Sequence, residues 1–302
     1  MSFKYDVLMI GGSGFIGKKI AAKLEARGYR VCIPTRRLKD AKELSVLPKV
    51  YLVEADIHQD MDLDRLFGGL NQSGIVINLV GILHDKMGSP YGPGFKKNHV
   101  ELTNRLIQKM KSLGIRRYLH MSALGADENG PSMYQRSKGA AERLVQQSSL
   151  DWTIFRPSVV FGQDDNFINM FAKLQKIAPV LPLGGASAKF QPVYVEDVAR
   201  AFVDSLALSQ TVRQIYDLVG PKVYTLKELV NLAGLKAQRQ AVIIPLPSPL
   251  AYLQAWALEI MPGPTLMSRD NVASMLVDNV SDKNSLTEVF QIKPTPLESI
   301  LS

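Results

Sequence analysis

A tyrosine and a lysine lie four residues apart in the segment YQRSK at 134–138. On a helix, residues at positions i and i+4 share a face, so the phenol of Tyr134 and the ammonium of Lys138 would point the same way. A nearby ammonium stabilises a phenolate and lowers the pKa of the tyrosine toward the range in which proton transfer is useful. Tyr134 is therefore a candidate for giving or taking a proton at a carbonyl or hydroxyl group, with Lys138 as its partner.

A serine precedes this pair at an informative distance. Ser122 lies twelve residues before Tyr134 and directly after a candidate strand at 118–121. Open α/β sheets bind ligands at the carboxyl ends of their strands, so Ser122 is predicted to hydrogen-bond the same substrate oxygen as Tyr134. The alternative interpretation of the YxxxK spacing is a Tyr–Lys pair on a solvated helix face.

A glycine-rich turn near the amino terminus indicates which cofactor such a site would use. An apolar strand at 7–10 runs into this turn, and a helical pattern follows it. The turn consists of Gly11, Gly12, Ser13, Gly14, Phe15, Ile16 and Gly17. Glycines at this spacing let backbone N–H groups approach a pyrophosphate, which then lies at the positive end of the helix. The pattern predicts a dinucleotide-binding βαβ unit, and a tight turn without a ligand is the alternative.

The end of the second candidate strand favours NADP(H) over NAD(H). NAD-specific sites usually place an Asp or Glu there, about 20 residues after the glycines, to bind the ribose 2′-hydroxyl. This chain has Thr35, Arg36 and Arg37 instead. Two guanidinium groups would clamp a 2′-phosphate, and we expect no acid to oppose it.

Two further strand ends contribute candidate cofactor-binding residues. Asp56, followed by Ile57, comes after the third candidate strand and could accept a hydrogen bond from the adenine amine, with a helix cap as the alternative. Leu79, Val80 and Gly81 end the fourth candidate strand. A small residue there would allow the cofactor to lie against the backbone.

The sixth candidate strand ends in the segment RPSVVFG at 156–162. Its loop, with Pro157 and Val160, could line the nicotinamide, and a simple strand exit is the alternative. His84, in the loop after the fourth strand, could face a substrate, although a lone histidine is more often structural or solvated. The four histidines have no metal-ligand spacing, so no metal site is predicted.

Strands and helices alternate along the first part of the chain. The candidate strands are at 7–10, 29–33, 50–54, 75–80, 118–121 and 153–156, and the candidate helices are at 14–27, 63–70, 98–113 and 134–147. This order predicts an α/β protein with a Rossmann-type doubly wound parallel sheet. We expect an NADP(H)-binding Rossmann domain at 1–162 and, at 163–302, a smaller carboxyl-terminal α/β lobe for a substrate or partner. Segments of the lobe are expected to return to the Rossmann core.

Shorter patterns describe the lobe. A strand at 216–219 and a helix at 226–233 are expected to belong to it. Ser248, followed by a proline, suits a helix N-cap. The apolar residues that then share one helix face are Leu250, Leu253, Trp256, Ala257 and Ile260. They predict a helix that packs in the core or, alternatively, an interfacial helix that meets a membrane or a partner.

The composition restricts the class of partner. The 302 residues carry a formal net charge of +8, and 46% of them are hydrophobic, which suits a globular fold. The sequence has no block of five like charges and no arginine-rich aromatic patch, so a nucleic-acid partner is not predicted. An anionic cofactor, an acidic protein partner or a membrane surface would each be attracted by the positive net charge.

The sequence also predicts a location. Cys32 is the single cysteine, so it cannot form an internal disulfide, and it lies in a candidate buried strand. No apolar run reaches the ~18 residues that a membrane-spanning helix needs. The first candidate strand begins almost at once, which leaves no room for a signal peptide. We therefore expect a cytoplasmic protein.

Together these motifs resemble the short-chain dehydrogenase/reductase superfamily in its extended or atypical branch. The matching pieces, in the order of the superfamily, are GGSGFIG at 11–17, Asp56, INLVG at 77–81, Asn98, Ser122, YQRSK at 134–138, RPSVVFG at 156–162 and VYVEDVA at 193–199. Three more segments, MSALGAD at 121–127, DDNF at 164–167 and LMSRDNV at 266–272, look like the nucleotide-binding accessory subunit family of respiratory complex I (NADH:ubiquinone oxidoreductase) and its bacterial relatives. That family is also similar to a protein linked to coenzyme Q synthesis.

The resemblance implies a tightly held NADP(H) without established turnover, in association with respiratory complex I or ubiquinone-pathway machinery. It implies that Ser122, Tyr134 and Lys138 mainly hold the nicotinamide ribose, and that Asn98 belongs to the site. A protein partner is implied by the same resemblance. A peripheral contact at the inner face of a membrane is suggested by the apolar residues of 248–264, with Trp256, and by the surplus positive charge.

An active enzyme is the alternative: an NADPH-dependent reductase, or a sugar-nucleotide epimerase or dehydratase that uses the Ser-Tyr-Lys site. A sugar-nucleotide enzyme needs basic groups for the substrate diphosphate in the second lobe. Lys222, Lys236 and Arg239 are available there, but they follow no pattern.

Overall fold

The computed structural model describes residues 4–263 and 265–301. The strands are β1 (Tyr5–Ile10), β2 (Val31–Thr35), β3 (Val50–Glu54), β4 (Leu70–Asn78), β5 (Arg117–Met121), β6 (Asp151–Pro157), β7 (Val160–Phe161), β8 (Val180–Gly184), β9 (Lys189–Phe190), β10 (Val193–Tyr194), β11 (Gln214–Leu218), β12 (Tyr224–Thr225) and β13 (Val242–Leu246). The α-helices are α1 (Phe15–Ala26), α2 (Asp60–Gly69), α3 (Pro93–Phe95), α4 (Leu102–Ser112), α5 (Met133–Gln146), α6 (Phe167–Ile177), α7 (Val195–Asp204), α8 (Leu226–Lys236), α9 (Ser248–Ile260), α10 (Arg269–Ser274), α11 (Ser285–Glu288) and α12 (Glu298–Leu301). The segments Leu38–Val46 and Ser209–Thr211 are 3₁₀-helical, and Lys96–Glu101 is π-helical.

Seven parallel strands form the central sheet in the order β11-β6-β5-β4-β1-β2-β3. The inner strands are apolar along most of their length, as expected of strands that helices cover on both faces. The chain changes its direction of winding between β1 and β4, where the carboxyl ends of the strands open a crevice for ligands. The predicted α/β class and the doubly wound parallel sheet are confirmed.

The two faces of the sheet carry separate helical layers. On one face, α1 and α7 bury Ile20 and Phe202 together with Val7 of β1. On the other face, α4 buries Leu106 together with Leu8, the next residue of β1. Neighbouring residues of β1 pack against opposite helical layers. Both faces of the strand are therefore buried up to the glycine turn that follows it.

The strand that the sequence placed in the second lobe at 216–219 belongs to the central sheet. β11 pairs in parallel with β6, with Tyr216 opposite Phe155. Tyr216 and Leu218 are buried in the same core cluster as Phe202 of α7. A short apolar strand has the same alternation in either lobe, so its partner is decided by this packing and not by its own pattern.

The smaller lobe is built around two short strand pairs. β8 and β13 are parallel, β9 and β12 are antiparallel, and α6 and α8 pack against each other beside them. α9 begins at Ser248 with Pro247 as its N-cap, one residue earlier than the sequence suggested, and Ser248 makes no capping hydrogen bond. Within residues 4–263 and 265–301, no helix has both the length and the apolar character needed to cross a bilayer.

Candidate functional site

The glycine turn joins β1 to α1 through a close approach of backbones. Gly11 has a φ of +78°, which favours glycine, and a Cβ there would lie 3.1 Å from the carbonyl carbon of Leu79. A Cβ at Gly17 would lie 2.5 Å from the carbonyl oxygen of Gly12. The turn therefore brings the first N–H groups of α1 to the carboxyl end of β1, where an anion can bind them.

An acid opposes one of the two predicted phosphate-binding arginines. Thr35 is buried at the end of β2, while Arg36 and Arg37 are exposed beyond it. The guanidinium of Arg37 pairs with Asp40 at 2.7 Å. The expectation that no acid lies there is therefore wrong, because the i,i+3 spacing on the following 3₁₀ segment turns Asp40 back toward Arg37. Arg36 makes no ion pair with any residue that the structure describes.

Asp56 supports the turn that precedes α2. Its Oδ1 accepts a hydrogen bond from the backbone N–H of His58 at 3.0 Å, and this bond lowers the pKa of the carboxyl. Helix α2 begins at Asp60 with Gln59 as its N-cap, so this bond closes a turn before the helix and Asp56 is not the helix cap. His58 Nε2 in turn lies 3.2 Å from Oδ1 of Asn98, so Asn98 borders the same turn. The carbonyl oxygen of Ile57 accepts a hydrogen bond from Arg105.

Lys138 lies between the ends of two sheet strands. Its side chain is buried, and Nζ donates to the carbonyl oxygens of Met121, at 3.0 Å, and Val80, at 3.5 Å. A Cβ on Gly81 would lie 3.4 Å from Nζ, so Leu79, Val80 and Gly81, just beyond β4, form one wall of this site. Burial lowers the pKa of Lys138 to about 8, with Glu142 opposing the shift.

Ser122 follows Met121 at the end of β5. Its backbone N–H donates to the carbonyl oxygen of Phe155 at 2.7 Å, which fixes the residue against β6. Its Oγ is buried and makes no hydrogen bond with any residue that the structure describes. A buried hydroxyl without a partner costs about 1–3 kcal/mol. A ligand oxygen at this position would remove that cost.

Tyr134 lies in the first turn of α5, beside two aromatic rings. The rings of Phe95 and His99 meet it edge-on, with centroids 6.1 and 5.8 Å away. Burial raises the pKa of Tyr134 to about 12, which contradicts the expectation that Lys138 lowers it. The reason is that the Lys138 ammonium is directed to backbone carbonyls, and burial of the phenol is the dominant effect.

His99 is a site residue that the sequence did not identify. Its Nε2 accepts a hydrogen bond from the backbone N–H of Ile82, so Nδ1 carries the proton and donates to Ser137 Oγ at 2.8 Å. Burial lowers the pKa of His99 to about 2, which keeps the ring neutral. His99 thus ties the loop after β4 to α5. Its partners lie 17 and 38 residues away, so no local spacing could have indicated it.

Asp270 of the smaller lobe binds the amino terminus of α5. Its Oδ1 accepts from the N–H of Met133 at 2.6 Å and its Oδ2 from the N–H of Tyr134 at 3.0 Å. Ser132 is the N-cap of the same helix and forms a capping box with Gln135. Asp270 lies in the motif LMSRDNV, which supported the family resemblance, but nothing in the sequence indicated that it contacts α5.

His84 lies beside this contact. Its Nδ1 is 3.5 Å from Ser268 Oγ, in the same lobe segment as Asp270, and burial lowers the pKa of His84. The position joins the loop after β4 to the lobe, which agrees with the structural alternative for a lone histidine. Whether His84 also faces a substrate stays a prediction.

The segment after β6 lies close to the glycine turn. The carbonyl oxygen of Pro157 accepts a hydrogen bond from the N–H of Leu124, and Val160 pairs with Val193 in the short β7–β10 sheet. A Cβ on Gly162 would lie 3.0 Å from the ring of Phe15. This segment therefore crosses the first turn of α1.

Most of the residues that the sequence predicted for the site thus lie at the carboxyl ends of the sheet strands or just beyond them. The residues fit a dinucleotide in two respects: a backbone cradle at Gly11 that a Cβ would fill, and the unpartnered buried hydroxyl of Ser122. In residues 4–263 and 265–301, no group of three His, Cys, Asp or Glu side chains could hold a metal ion.

Comparisons with known proteins indicate the family. The model of the NAD dependent epimerase/dehydratase family matches residues 7–218. NADH dehydrogenase (ubiquinone) 1 alpha subcomplex subunit 9, mitochondrial, from Arabidopsis thaliana is 29% identical over 289 residues, which cover 92% of this chain and 71% of the relative. The protein of the same name from Mus musculus is 29% identical over 301 residues, which cover 96% of this chain and 77% of the relative.

A solved structure supports the fold. A nucleoside-diphosphate-sugar epimerase from Staphylococcus aureus superposes with a TM-score of 0.76 over 98% of this chain and 99% of its own. The two sequences are only 17% identical, so this likeness concerns the fold alone.

Proposed function

The chain belongs to the NAD dependent epimerase/dehydratase family, and we propose that it holds NADP(H) as a bound cofactor in association with respiratory complex I or ubiquinone-pathway machinery. One observation carries the proposal. Similarity to subunits named for complex I extends over 92% and 96% of the chain, including the smaller lobe whose Asp270 binds the helix of Tyr134.

NADP(H) is preferred over NAD(H) because of the charges at the end of β2. Arg36 is exposed and has no ion-pair partner in the described ranges, so a 2′-phosphate can take its full charge. The guanidinium of Arg37 is already paired with Asp40, so Arg37 contributes less to binding the 2′-phosphate. No carboxylate occupies the position that would bind a free 2′-hydroxyl and repel a phosphate.

The residues around Ser122 favour holding the cofactor over moving protons. Lys138 uses two of its three N–H donors on backbone carbonyls, which leaves one for a ribose hydroxyl. Tyr134, with a pKa near 12, stays a neutral phenol at physiological pH. It can donate or accept a hydrogen bond there. The nicotinamide itself would supply hydride chemistry if a substrate reached it.

Ser122, Tyr134 and Lys138 are all present, which keeps a working reductase or a sugar-nucleotide epimerase or dehydratase as the second candidate. The basic groups for a substrate diphosphate are poorly suited. Lys222 pairs with Glu298 at 3.1 Å, and Lys236 donates to the Asn169 side chain at 3.0 Å. Only Arg239 of the three lacks an ion pair or side-chain hydrogen bond in the described residues, which gives the epimerase alternative less support.

Retention and turnover distinguish the two candidates. For a holding site, Lys138→Ala releases NADPH faster from the purified protein, and neither wild type nor Tyr134→Phe oxidises NADPH with carbonyl substrates. Tyr252→Phe, outside the site, is the matched control. For an enzyme, Tyr134→Phe lowers turnover by roughly 10²–10⁴-fold, the usual contribution of acid–base catalysis. Robust wild-type oxidation that is lost in this variant would contradict the holding function.

Partner and location complete the proposal. The smaller lobe, which lies within 163–302 apart from α7 and β11 of the central sheet layers, is the proposed contact region, while the Rossmann part at 1–162 is committed to the cofactor. A peripheral position at the inner face of a membrane, reached from the cytoplasm, is consistent with a partner of the respiratory or quinone pathway. Crosslinking of the intact protein in its native membrane fraction, read by mass spectrometry, tests whether the crosslinked residues lie in the lobe.

A further inference from the structure

Helix α9 packs with its small residues inward and its large apolar residues outward. Ala251 and Ala255 are buried, whereas Leu250, Leu253, Trp256 and Ile260 are between 46% and 66% exposed. The only charged residue of α9, Glu259, is bound by Arg269 of the lobe. The interpretation of this face as core packing is therefore wrong, because the alanines supply the contact with the lobe.

A neighbouring sheet extends this apolar surface. In the register of β8 and β13, Val242 pairs with Val180, Ile244 with Pro182, and Leu246 with Gly184, so these six residues share one face. A Cβ on Gly184 would lie 2.7 Å from Ala251, and Gln254 donates to the Pro182 carbonyl. Helix α9 thus covers one end of the face.

The other end of that sheet face is open. Val242 and Ile244 are exposed there. We call the surface formed by Val180, Val242, Ile244, Leu250, Leu253, Trp256 and Ile260 the apolar face. The apolar face groups seven exposed apolar residues, whereas exposed apolar residues on protein surfaces are usually scattered singly.

Positive charge borders the apolar face. The stretches 166–195 and 229–258 contain no Asp or Glu but hold Lys173, Lys176, Lys189, Lys236 and Arg239. Lys173, Lys176 and Arg239 are exposed and form no ion pair with any described residue. The N–H of Val242 donates to the Pro179 carbonyl, which places the end of α6 and the segment after Arg239 beside the open end of the face.

We propose that the apolar face docks on the surface of an anionic lipid bilayer. Aliphatic side chains and an exposed tryptophan, bordered by the unpaired Lys173, Lys176 and Arg239, match the interface between acyl chains and anionic headgroups. The one acid of α9, Glu259, is neutralised by Arg269. A second copy of the chain fits less well, because a symmetric contact through this face would bring the same unpaired cations together. The inference rests on the proposed function only for a location at a membrane.

Vesicle sedimentation tests the proposal on the full chain. The wild type is expected to sediment with vesicles of phosphatidylcholine and phosphatidylglycerol at low salt, and to remain in the supernatant with phosphatidylcholine alone. Leu253→Ser/Trp256→Ser should lower the partition coefficient by at least about tenfold, since each side chain would lose its apolar burial. Its matched control is Met61→Ser, which changes an exposed apolar residue far from the face in the sequence.

A second pair of variants tests the contribution of charge to vesicle binding. The test variant is Lys173→Glu/Lys176→Glu/Arg239→Glu, and its control changes three other exposed lysines, Lys42→Glu/Lys49→Glu/Lys111→Glu. The first set should lower the partition coefficient by roughly a hundredfold, given about 1 kcal/mol for each cation at the surface. Rising salt should abolish the difference between the two sets as charges are screened. An equal loss in both sets would contradict docking through this face.

Tryptophan quenching gives a second measurement, which leaves every residue of the apolar face unchanged. The chain has two tryptophans, of which Trp152 is buried. In Trp152→Phe, phospholipids with brominated acyl chains should quench the emission of Trp256 in phosphatidylglycerol vesicles. Bound protein without quenching would overturn the proposal.

Two other results would also overturn it. One is wild-type protein that stays in the supernatant at low salt. The other is a dimer in sedimentation equilibrium that Leu253→Ser/Trp256→Ser abolishes while vesicles bind nothing, which would assign the face to a second copy. Calorimetry with NADPH on the same samples separates the two proposals. Loss of NADPH binding would count against the cofactor function alone, whereas loss of vesicle binding with intact NADPH binding would count against docking alone.

Discussion

Asp270 accepts a hydrogen bond from the backbone N–H of Tyr134, with 3.0 Å between Oδ2 and the nitrogen. The other carboxylate oxygen accepts from the N–H of Met133. The smaller lobe therefore holds the first turn of the helix that carries Tyr134 and Lys138. Cofactor site and lobe are joined at this point, so a change in the lobe can reach the site without a change in the site itself.

The first prediction concerns this joint. Asp270→Ala leaves two N–H donors of α5 without their partner and should lower the free energy of unfolding by about 2 kcal/mol. Denaturant unfolding followed by circular dichroism measures it. Asp282→Ala, which removes an exposed carboxylate from the same part of the chain, is the control and should change stability little. Equal stability of the two variants would show that water replaces the carboxylate at no cost.

The second prediction concerns the glycine turn. A Cβ at Gly17 would lie 2.5 Å from the carbonyl oxygen of Gly12, and the neighbouring atom is backbone that cannot move aside cheaply. Gly17→Ala should therefore cost at least about 2 kcal/mol of stability and weaken NADPH binding. Gly68→Ala is the matched control in α2, because a Cβ there meets nothing within 4 Å. The control should be neutral or stabilising by up to about 1 kcal/mol.

Much of the fold and part of the site could be predicted because their signals are local. The strand, glycine turn and helix of residues 5–26 follow one another directly, and Tyr134 and Lys138 lie on one helix. The contacts of His99 and Asp270 could not be predicted, since the partners lie 17 to 137 residues away and leave no periodic pattern. The pairing of Arg37 with Asp40, in contrast, has a local signal in the i,i+3 spacing.

The third prediction is a pH dependence. The pKa of Lys138 is lowered from 10.5 to about 8, so the unfolded chain binds this proton more tightly than the folded protein. Stability contributed by Lys138 therefore rises with pH between about 8 and about 10.5 and is lost as the pH falls through the folded pKa. Relative to Lys138→Met, the wild type should gain on the order of 3 kcal/mol of unfolding free energy across that window.

Urea unfolding at a series of pH values measures this difference. Taking wild type minus variant removes the contributions of other groups, including Cys32, whose pKa burial raises to about 11. Lys111→Met is the control for loss of a surface charge. Parallel curves for wild type and Lys138→Met would mean that the buried ammonium is solvated better than its surroundings indicate.

The fourth prediction separates the two arginines. Arg36→Ala should weaken NADPH binding by at least about tenfold, the value of one charge-assisted contact, and leave NADH binding unchanged. Arg37→Ala should have a smaller effect because Asp40 already shares that guanidinium. Asp40→Ala should strengthen NADPH binding by freeing Arg37. Isothermal titration calorimetry with both cofactors measures all three, and a larger loss for Arg37→Ala than for Arg36→Ala would reverse the assignment.

The central claim is that the chain holds NADP(H) between the glycine turn and Ser122, Tyr134 and Lys138. Its most direct test is mass spectrometry of the small molecules released when the purified wild-type protein is denatured, with Lys138→Ala prepared in parallel. The account predicts NADP⁺ or NADPH in near-stoichiometric amount from the wild type and much less from the variant. Release of NAD⁺ or NADH alone, or of no nucleotide from a protein that also fails to bind added NADPH, would contradict it.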